Sequence, residues 1–327
     1  MESQNVVLKL EDLDVKGLDI DDKQITKIAC SSDHVQCILS SGEAFAFGNN
    51  LNGKLGTGTK NTTEKPEIVR CMDKLVDVAC GSNFTVWISE AHEVYSCGIP
   101  SALIPVKLNG KSAISCAAYG DSLALIDTEG GVTFWSNFAD INNPVNPPLI
   151  GKAKSISCGN QFVAVLFDNG LLAKITHDKC EYLCVKSHIM EGGETFISMS
   201  ACADYIIAID YWKRAYIFGD FNGYSAQYLQ NEPVFCNADR VWAMPGYCCA
   251  RTSDMEILGI GKIPSPGGSR LIRVSKELSF STGIGEIVGN EGKLFCLEIL
   301  FDRETLTKSV KHFVPIGLTN NFPVVRI

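Results

Sequence analysis

An all-β fold built from seven repeats of about 42 residues is predicted by three observations on this 327-residue chain. A short sequence motif, here called the phrase, recurs; in it a β-branched or aromatic residue precedes small residues and often Cys. Gly-containing turn sequences follow the apolar runs, as tight hairpins require. No long stretch has the 3.6-residue apolar period of a helix. Three or four short strands per repeat are typical of a seven-bladed β-propeller, which leaves few sheet edges exposed.

The first strand of each repeat carries the phrase. The clear copies are Ile28-Ala29-Cys30, Val78-Ala79-Cys80, Ile114-Ser115-Cys116 and Ile156-Ser157-Cys158, and the weaker ones are Ile197-Ser198-Met199, Val241-Trp242-Ala243 and Phe280-Ser281-Thr282. The six intervals between residues 28 and 280 average 42 residues. We expect the four cysteines to hold equivalent positions in the innermost strands, where small residues allow close packing.

The other strands of a repeat follow in a fixed order. In the first repeat they are Val35–Leu39, the turn Ser40–Gly42, Ala44–Phe47 and, after a Gly/Asn loop, Lys65–Val69. We predict a single domain over 1–327, with an acidic segment at 1–24, seven repeats at 25–300 and a closing segment at 301–327. Val6–Leu10 and Val310–Val314 are the candidate strands that close the ring.

Composition limits the class of partner. Hydrophobic residues are 46% and charged residues 20%, which excludes a disordered chain. The net charge of −8 argues against a protein that coats nucleic acid, so we expect no direct nucleic-acid binding. Most of this charge lies in residues 1–22. A solvated surface is the favoured interpretation of that segment, and docking of a basic partner is the alternative.

The termini and the 14 cysteines bear on localisation. The apolar runs are strand-length and the N-terminal segment is interrupted by charges, so neither a membrane span nor a signal peptide is predicted. We therefore expect a cytoplasmic protein, with the nucleus as a further location. In these compartments the cysteines remain free thiols that pack as small hydrophobes.

The first repeat carries a longer motif. It contains Ile28-Ala29-Cys30, His34 and Gly42, followed by Phe45-Ala46-Phe47-Gly48-Asn49-Asn50-Leu51-Asn52-Gly53-Lys54-Leu55-Gly56. This sequence resembles the repeat of the regulator-of-chromosome-condensation family, with Phe47 for the usual Trp and Lys54 for the usual Gln. The chain is a degenerate member, because the resemblance weakens after the second repeat.

The resemblance implies a structural role for a set of repeat-signature residues. They are Cys30, His34, Gly42, Gly48, Asn50, Gly53, Leu55, Gly56, Cys80, Gly81, Gly98, Cys158, Gly159 and Gly219. In the family a Gly, here called the anchor Gly, usually follows the Cys position of the phrase, as Gly81 and Gly159 do, and a His usually stands three residues later. Only His34 occupies that His position. In the other repeats the matching residues are Phe84, Gly120, Phe162, Ala203 and Tyr247.

Two motifs are candidates for chemical sites. Gly48-x-x-x-x-Gly53-Lys54 is followed by Leu55 where a phosphate-binding loop needs Ser or Thr, so no nucleotide or other cofactor is predicted. His177, Cys180, Cys184 and His188 have a spacing seen in zinc sites, but the alternation of Cys180, Tyr182 and Cys184 favours an ordinary fourth strand. No signature of nucleophilic or acid–base catalysis is present, so no covalent enzyme is predicted.

The leading functional prediction is a protein–protein interaction module that binds a regulatory partner through loops at the ring faces. Aromatic loop residues suit this role, namely Phe138, Phe221, Tyr224 and Tyr228. The resemblance implies an alternative, guanine-nucleotide exchange on a Ran-like small GTPase, which needs loops that displace nucleotide and no covalent step. Chromatin binding is a third implication of the family, and the acidic N-terminus disfavours it.

Overall fold

In a computed structural model of the chain, the described residues are 25–31, 33–99, 102–185, 195–221, 233–245, 247–253, 257–261, 287–290, 293–296, 314–319 and 322–326. Their regular structure is antiparallel β-sheet, which confirms the all-β prediction. No helix of these ranges is long and apolar enough to cross a membrane. The chain divides into two compact units, Met1–Lys111 and Ser112–Ile327.

The first unit contains two four-stranded sheets. The first sheet consists of β1 (Ile25–Cys30), β2 (His34–Leu39), β3 (Ala44–Gly48) and β4 (Thr63–Ile68). The second sheet consists of β5 (Leu75–Cys80), β6 (Phe84–Ser89), β7 (Glu93–Gly98) and β8 (Ala102–Ser112). In both sheets the spatial order follows the chain order, as the repeat predicts.

The second unit contains the remaining strands. The third sheet is β9 (Ser115–Tyr119), β10 (Ser122–Ile126) and β11 (Val132–Trp135), and the fourth is β12 (Ala153–Gly159), β13 (Phe162–Phe167), β14 (Leu172–Thr176) and β15 (Cys180–Leu183). The fifth is β16 (Phe196–Cys202), β17 (Tyr205–Asp210) and β18 (Ala215–Gly219). The sixth begins with β19 (Ala238–Met244), β20 (Tyr247–Thr252) and β21 (Ile257–Gly261).

The C-terminal strands belong to the sixth sheet. They are β24 (Val314–Thr319) and β25 (Phe322–Arg326), and β25 pairs with β21 through Leu258 and Arg326. A separate hairpin pairs β22 (Ile287–Asn290) with β23 (Lys293–Cys296), within the range predicted for the seventh repeat. The candidate closing strand Val6–Leu10 lies outside the described residues, as does Val310–Val314 except for Val314.

The hydrophobic core lies between successive sheets. The second strand of a sheet is buried on both faces, as in β6, β13 and β17. One face of β13 packs through Val163 and Val165 against the third sheet, and the other packs through Phe162 and Leu166 against the fifth. This arrangement explains why these strands have continuous apolar sequences rather than alternating ones.

The first strands share a feature that the sequence phrase does not predict. In five of them the pairing with the second strand skips one residue near the start, as in a β-bulge. The skipped residues are Thr26, Val76, Lys154, Ile197 and Asp239. The bulge therefore marks the repeat even where the phrase is weak.

The predicted equivalence of the four cysteines is wrong for Cys116. Cys30, Cys80 and Cys158 each pair with the second residue of the following strand. In the third sheet that position is Ala118, which pairs with Leu123, while Cys116 lies two residues earlier. A shift of two residues keeps a side chain on the same face of a strand, so the apolar pattern alone does not reveal it.

The fifth repeat needs the same two-residue correction. Ala201, which pairs with Ile206, occupies the position equivalent to Cys30, instead of Met199. The residues in the register of His34 are consequently Ser122 in the third sheet and Tyr205 in the fifth, instead of Gly120 and Ala203.

Candidate functional site

Successive antiparallel strands place the connections of each sheet at two opposite edges. We call the edge with residues 31–33 and 49–62 the loop edge, and the edge with the turn 40–43 the turn edge. The loop edge of the first unit holds most of the repeat-signature residues.

Asn50 organises the long loop between β3 and β4. Its buried side chain accepts from Leu55 N at 2.9 Å and donates to Thr59 O at 2.9 Å. Gly53 N donates to Asn50 O, and Gly56 N donates to Gly53 O, which gives the loop a compact turn. Leu55 is thereby buried in the core between the first and second sheets. The Gly-rich motif is therefore a folded loop with its own internal bonds.

Lys54 is the buried charge of this loop. Its Nζ lies 2.7 and 2.9 Å from the two carboxylate oxygens of Asp33 and 2.8 Å from Ser82 O. An ammonium group has three N–H donors, so all three are used. The contact with Ser82 links the loop of the first sheet to the loop edge of the second. The loop is fixed at its base by this cation.

His34 is buried beside the ion pair, and its neighbours determine its tautomer. Thr85 Oγ1 donates to Lys54 O at 2.8 Å, so it accepts from His34 Nε2 at 3.0 Å. His34 Nδ1 then carries no proton, and Ser31 Oγ, which lies 2.5 Å from it and 3.1 Å from Asp33 Oδ1, donates its single proton over the shorter distance. The second and fourth sheets have Gly81–Phe84 and Gly159–Phe162 at these places, where a Cβ on the Gly would collide with the ring. Ser31 with His34 is thus a polar replacement for a Gly–Phe pair.

The ionisation of the network follows from its burial. Burial, followed by the charge of Lys54, lowers the pKa of His34 against the opposing effect of Asp33. Burial alone would raise the pKa of Asp33, but its polar contacts, among them the ion pair with Lys54, lower it to about 2. At neutral pH the network therefore contains a neutral His, a carboxylate and an ammonium.

We expect stability to fall with acidification below about pH 6.5, the unfolded pKa of His. The pKa of folded His34 is lower, so in this window only the unfolded chain takes up the proton. The slope contributed by one group reaches at most about 1.4 kcal/mol per pH unit. Urea denaturation between pH 7.5 and 5 measures it. The double variant Ser31→Gly/His34→Phe, which copies the second sheet, should lose this slope, and an unchanged slope would contradict the assignment.

The glycines that end the third strands have a steric reason. Gly48, Gly98 and Gly219 adopt positive φ values of 111°, 88° and 105°. A Cβ on each would lie 2.3 to 2.4 Å from the carbonyl oxygen of Asp33, Asn83 or Asp204. Gly42 has the same kind of requirement in its hairpin turn, with φ 84°. The remaining signature cysteines, Cys80 and Cys158, are buried, and Cys30 lies in β1.

The loop edge of the first unit also exposes apolar side chains. Leu51 is 67% exposed, and Ile99 and Leu103 are each 38% exposed. Hydrogen bonds connect the segments that carry them: Asn52 Nδ2 donates to Asn83 Oδ1 at 2.8 Å, and Ile99 N donates to Asn83 O. Gly53 packs closely against Leu103. These contacts present Leu51 on a fixed loop.

The other predicted candidates are placed differently. His177 is paired with Asp178 at 3.0 Å, Cys180 lies in β15, the fourth strand of its sheet, and Cys184 is exposed. His188 lies outside the described residues. Within the described part of the chain, no three His, Cys, Asp or Glu side chains are grouped as ligands of a metal ion would be.

The prediction that Phe138 and Phe221 are contact residues is wrong. Both are fully buried, and each packs edge-to-face on an aromatic neighbour, Trp135 at 5.9 Å and Tyr205 at 4.9 Å. The connection after β11 folds back over its sheet, so Phe138 covers the core there, and Phe221, two residues after β18, packs in the core of the fifth sheet. Tyr224 and Tyr228 lie outside the described residues.

Comparison with known proteins agrees with the repeat motif. Residues 41–88 match the model of the Regulator of chromosome condensation (RCC1) repeat. Over 181 and 183 residues, or 45% of the chain, it is 27% identical to the mouse and human proteins named RCC1-like G exchanging factor-like protein. The match covers 39% of the length of each of these relatives.

Solved structures share the fold. Prp20p from Saccharomyces cerevisiae, studied with its binding to Gsp1p and histones, gives a TM-score of 0.58 at 16% identity, covering 75% of this chain and 73% of that one. Human WBSCR16 gives 0.55 at 17% identity, covering 67% and 70%. These similarities, together with the repeat motif, support a β-propeller fold. The chain therefore carries a Regulator of chromosome condensation (RCC1) repeat at residues 41–88, and over a longer stretch it is similar to RCC1-like proteins.

Proposed function

We propose that this chain is a non-enzymatic interaction module that binds a regulatory protein through the loop edge of its first unit. The observation that carries the proposal is Leu51, an exposed apolar side chain on a loop fixed by Asn50 and Lys54. Binding through a fixed loop avoids most of the entropy lost when a mobile loop is ordered. The Asn side chains beside it supply a polar rim without net charge.

Replacing Leu51 with Asp tests this proposal. The change places a charge among the exposed apolar side chains of the loop edge and leaves the bonds of Asn50 and Lys54 intact. Met72→Asp is the matched control, because Met72 is fully exposed at the turn edge of the same unit. Affinity purification with quantitative mass spectrometry should show partners lost from Leu51→Asp and retained by Met72→Asp. Identical partner sets for both variants would contradict the proposal.

A second candidate function is guanine-nucleotide exchange on a Ran-like small GTPase. The relatives named as exchange-factor-like and the likeness to Prp20p, studied with Gsp1p, favour it. In such an activity, loops of the exchange factor bind the GTPase and displace its nucleotide, and no covalent step is needed. Release of labelled GDP from Ran and related GTPases is the measurement. An unchanged release rate at micromolar protein would exclude this activity, whereas acceleration lost in Leu51→Asp would assign it to the loop edge.

The complete architecture is also part of the proposal. We infer that seven repeats form one ring over residues 1–327 in a protein of the cytoplasm and nucleus that does not bind nucleic acid directly. The 42-residue spacing supports seven repeats, and the net charge of −8 supports the absence of nucleic-acid binding. A crystal structure of the full chain tests the number of blades. Retention on protein-free duplex DNA at physiological salt would contradict the last point.

A further inference from the structure

The hairpin turn between β17 and β18 differs in composition from the equivalent turns. Tyr211 and Trp212 stand at its tip, with exposures of 69% and 53%. At the matching positions the other turns have Ser40-Ser41, Glu90-Ala91, Thr128-Glu129 and Asp168-Asn169. Trp87 and Trp135, by contrast, are fully buried. Exposed Trp and Tyr residues are enriched among those that dominate the energy of protein interfaces.

The turn is held in one conformation by an ion pair at its base. Arg214 Nε and Nη2 both lie 2.7 Å from Asp210 Oδ2, and Arg214 N donates to Asp210 Oδ1 at 2.8 Å. Tyr211 N donates to Thr195 O, which joins the turn to the strand connection before it. The Tyr211 and Trp212 rings meet edge-to-face at 6.1 Å. Little conformational freedom of the turn backbone remains to be lost on binding.

The charge of the turn is positive. Asp210 is buried beneath it and its charge is matched by Arg214, whose side chain is only 25% exposed. The exposed charge of the turn therefore belongs to Lys213, whose Nζ also donates to Ser253 Oγ at 2.7 Å. The Arg214 guanidinium lies 5.0 Å from the Trp212 ring centre, and this cation opposes the approach of another. An anionic group is favoured instead, although the chain as a whole carries a net charge of −8.

The backbone of Lys213 has a positive φ, a conformation that usually favours Gly. Lys213 has φ 62°, and the equivalent residues Gly42, Gly130 and Gly170 have φ values of 84°, 87° and 81°. Gly adopts this conformation without the steric penalty of a Cβ. Lys therefore stands where Gly would favour folding, and this strained position makes Lys213 the residue whose role in binding is to be tested. His92, also at φ 62° in its turn, provides a control.

We propose that Tyr211, Trp212 and Lys213 form an interaction site for an extended acidic segment of a protein partner. An apolar side chain of that segment packs on Tyr211 and Trp212, and a carboxylate of it pairs with Lys213. The site lies at the turn edge of its sheet, so it does not depend on the loop-edge function proposed above.

Two short synthetic peptides test the site with the full chain. One alternates Glu with Leu and Phe, and the other has Lys in place of Glu. Fluorescence anisotropy at low salt should show the acidic peptide binding at least roughly tenfold more tightly. Tyr211→Ser/Trp212→Ser, which copies the first turn, should weaken it roughly tenfold, and Leu51→Asp should not. Equal binding of the two peptides, or unchanged binding by the double Ser variant, would overturn the proposal.

Lys213→Gly separates binding from folding. It should raise the midpoint of thermal unfolding and weaken the acidic peptide several-fold, whereas His92→Gly should raise the midpoint and leave peptide affinity unchanged. Unchanged affinity in Lys213→Gly would remove Lys213 from the site and overturn the charge argument. Binding to phosphatidylcholine–phosphatidylserine vesicles that is lost in the double Ser variant, without peptide binding, would assign the turn to a lipid surface instead.

Discussion

Replacing Lys54 with Met is expected to lower the free energy of unfolding by about 2 to 3 kcal/mol. The variant keeps the length and apolar stem of the side chain, so its main effect is the loss of three hydrogen bonds at Nζ. The Asp33 carboxylate and Ser82 O lose a charged donor. Removal of one partner of a buried ion pair costs about 3 to 5 kcal/mol, and the partial exposure of Asp33 moves the expected value below that range.

The matched control is an exposed pair of the same chemistry. Lys179 Nζ lies 2.9 Å from Glu181 Oε2, but both side chains are more than half exposed. Lys179→Met should change stability by less than about 1 kcal/mol, as is usual for surface ion pairs. Equal effects of the two substitutions in urea denaturation would show that the buried contacts of Lys54 contribute no more to stability than an exposed ion pair does.

A double variant tests whether the charge itself causes the loss. Asp33→Asn/Lys54→Met removes the uncompensated carboxylate, and should recover part of the stability lost in Lys54→Met. Lys54→Gln, which restores the residue usual in the family repeat, keeps an N–H donor for Ser82 O and should be milder than Lys54→Met. If Asp33→Asn added its own full loss, the two residues would not be coupled.

Local features of the fold are predictable from the sequence. The turn Asp168-Asn169-Gly170 predicts a hairpin, and Gly170 has the positive φ of 81° that this turn requires. The continuous apolar sequence Phe162–Leu166 predicts a buried strand, and every residue of it is buried. Both features depend on residues within one hairpin, so no distant contact is needed to recognise them.

Features that depend on pairing between strands are less visible. The two-residue error at Cys116 arises because Cys116 and Ala118 face the same side of β9, and both are small. The ion pair of Asp33 and Lys54 joins residues 21 apart through the fold of the Asn50 loop. A signal existed, because Ser31 replaces the anchor Gly in the same repeat in which His34 and Lys54 occur.

Exposure is the feature that sequence pattern predicts least well. Phe138 and Tyr211 both follow strands in the sequence, yet Phe138 is buried and Tyr211 is exposed. The difference is the length of the connection: the long connection after β11 folds over the core, while the short turn after β17 has no room to do so. Two aromatic residues in a short hairpin turn were therefore the stronger signal of a surface site.

Gly48→Ala is the second substitution with a large expected effect, a loss of about 3 kcal/mol or more. The added Cβ would lie 2.4 Å from Asp33 O and 2.6 Å from the His34 Cα, and both of these are backbone atoms. Backbone of two paired strands cannot move aside as a flexible side chain does. The displacement would also disturb the carboxylate of Asp33, which holds Lys54.

Gly110→Ala separates this collision from the effect of backbone conformation. Gly110 has a positive φ of 73°, and a Cβ there would meet nothing within 4 Å. Its substitution should therefore show only the conformational penalty, about 1 kcal/mol. Thermal and urea unfolding of the two variants give the difference. A loss in Gly48→Ala no larger than that in Gly110→Ala would mean that the signature Gly is required for its φ alone, whereas a larger loss assigns it to the close approach of β2 and β3.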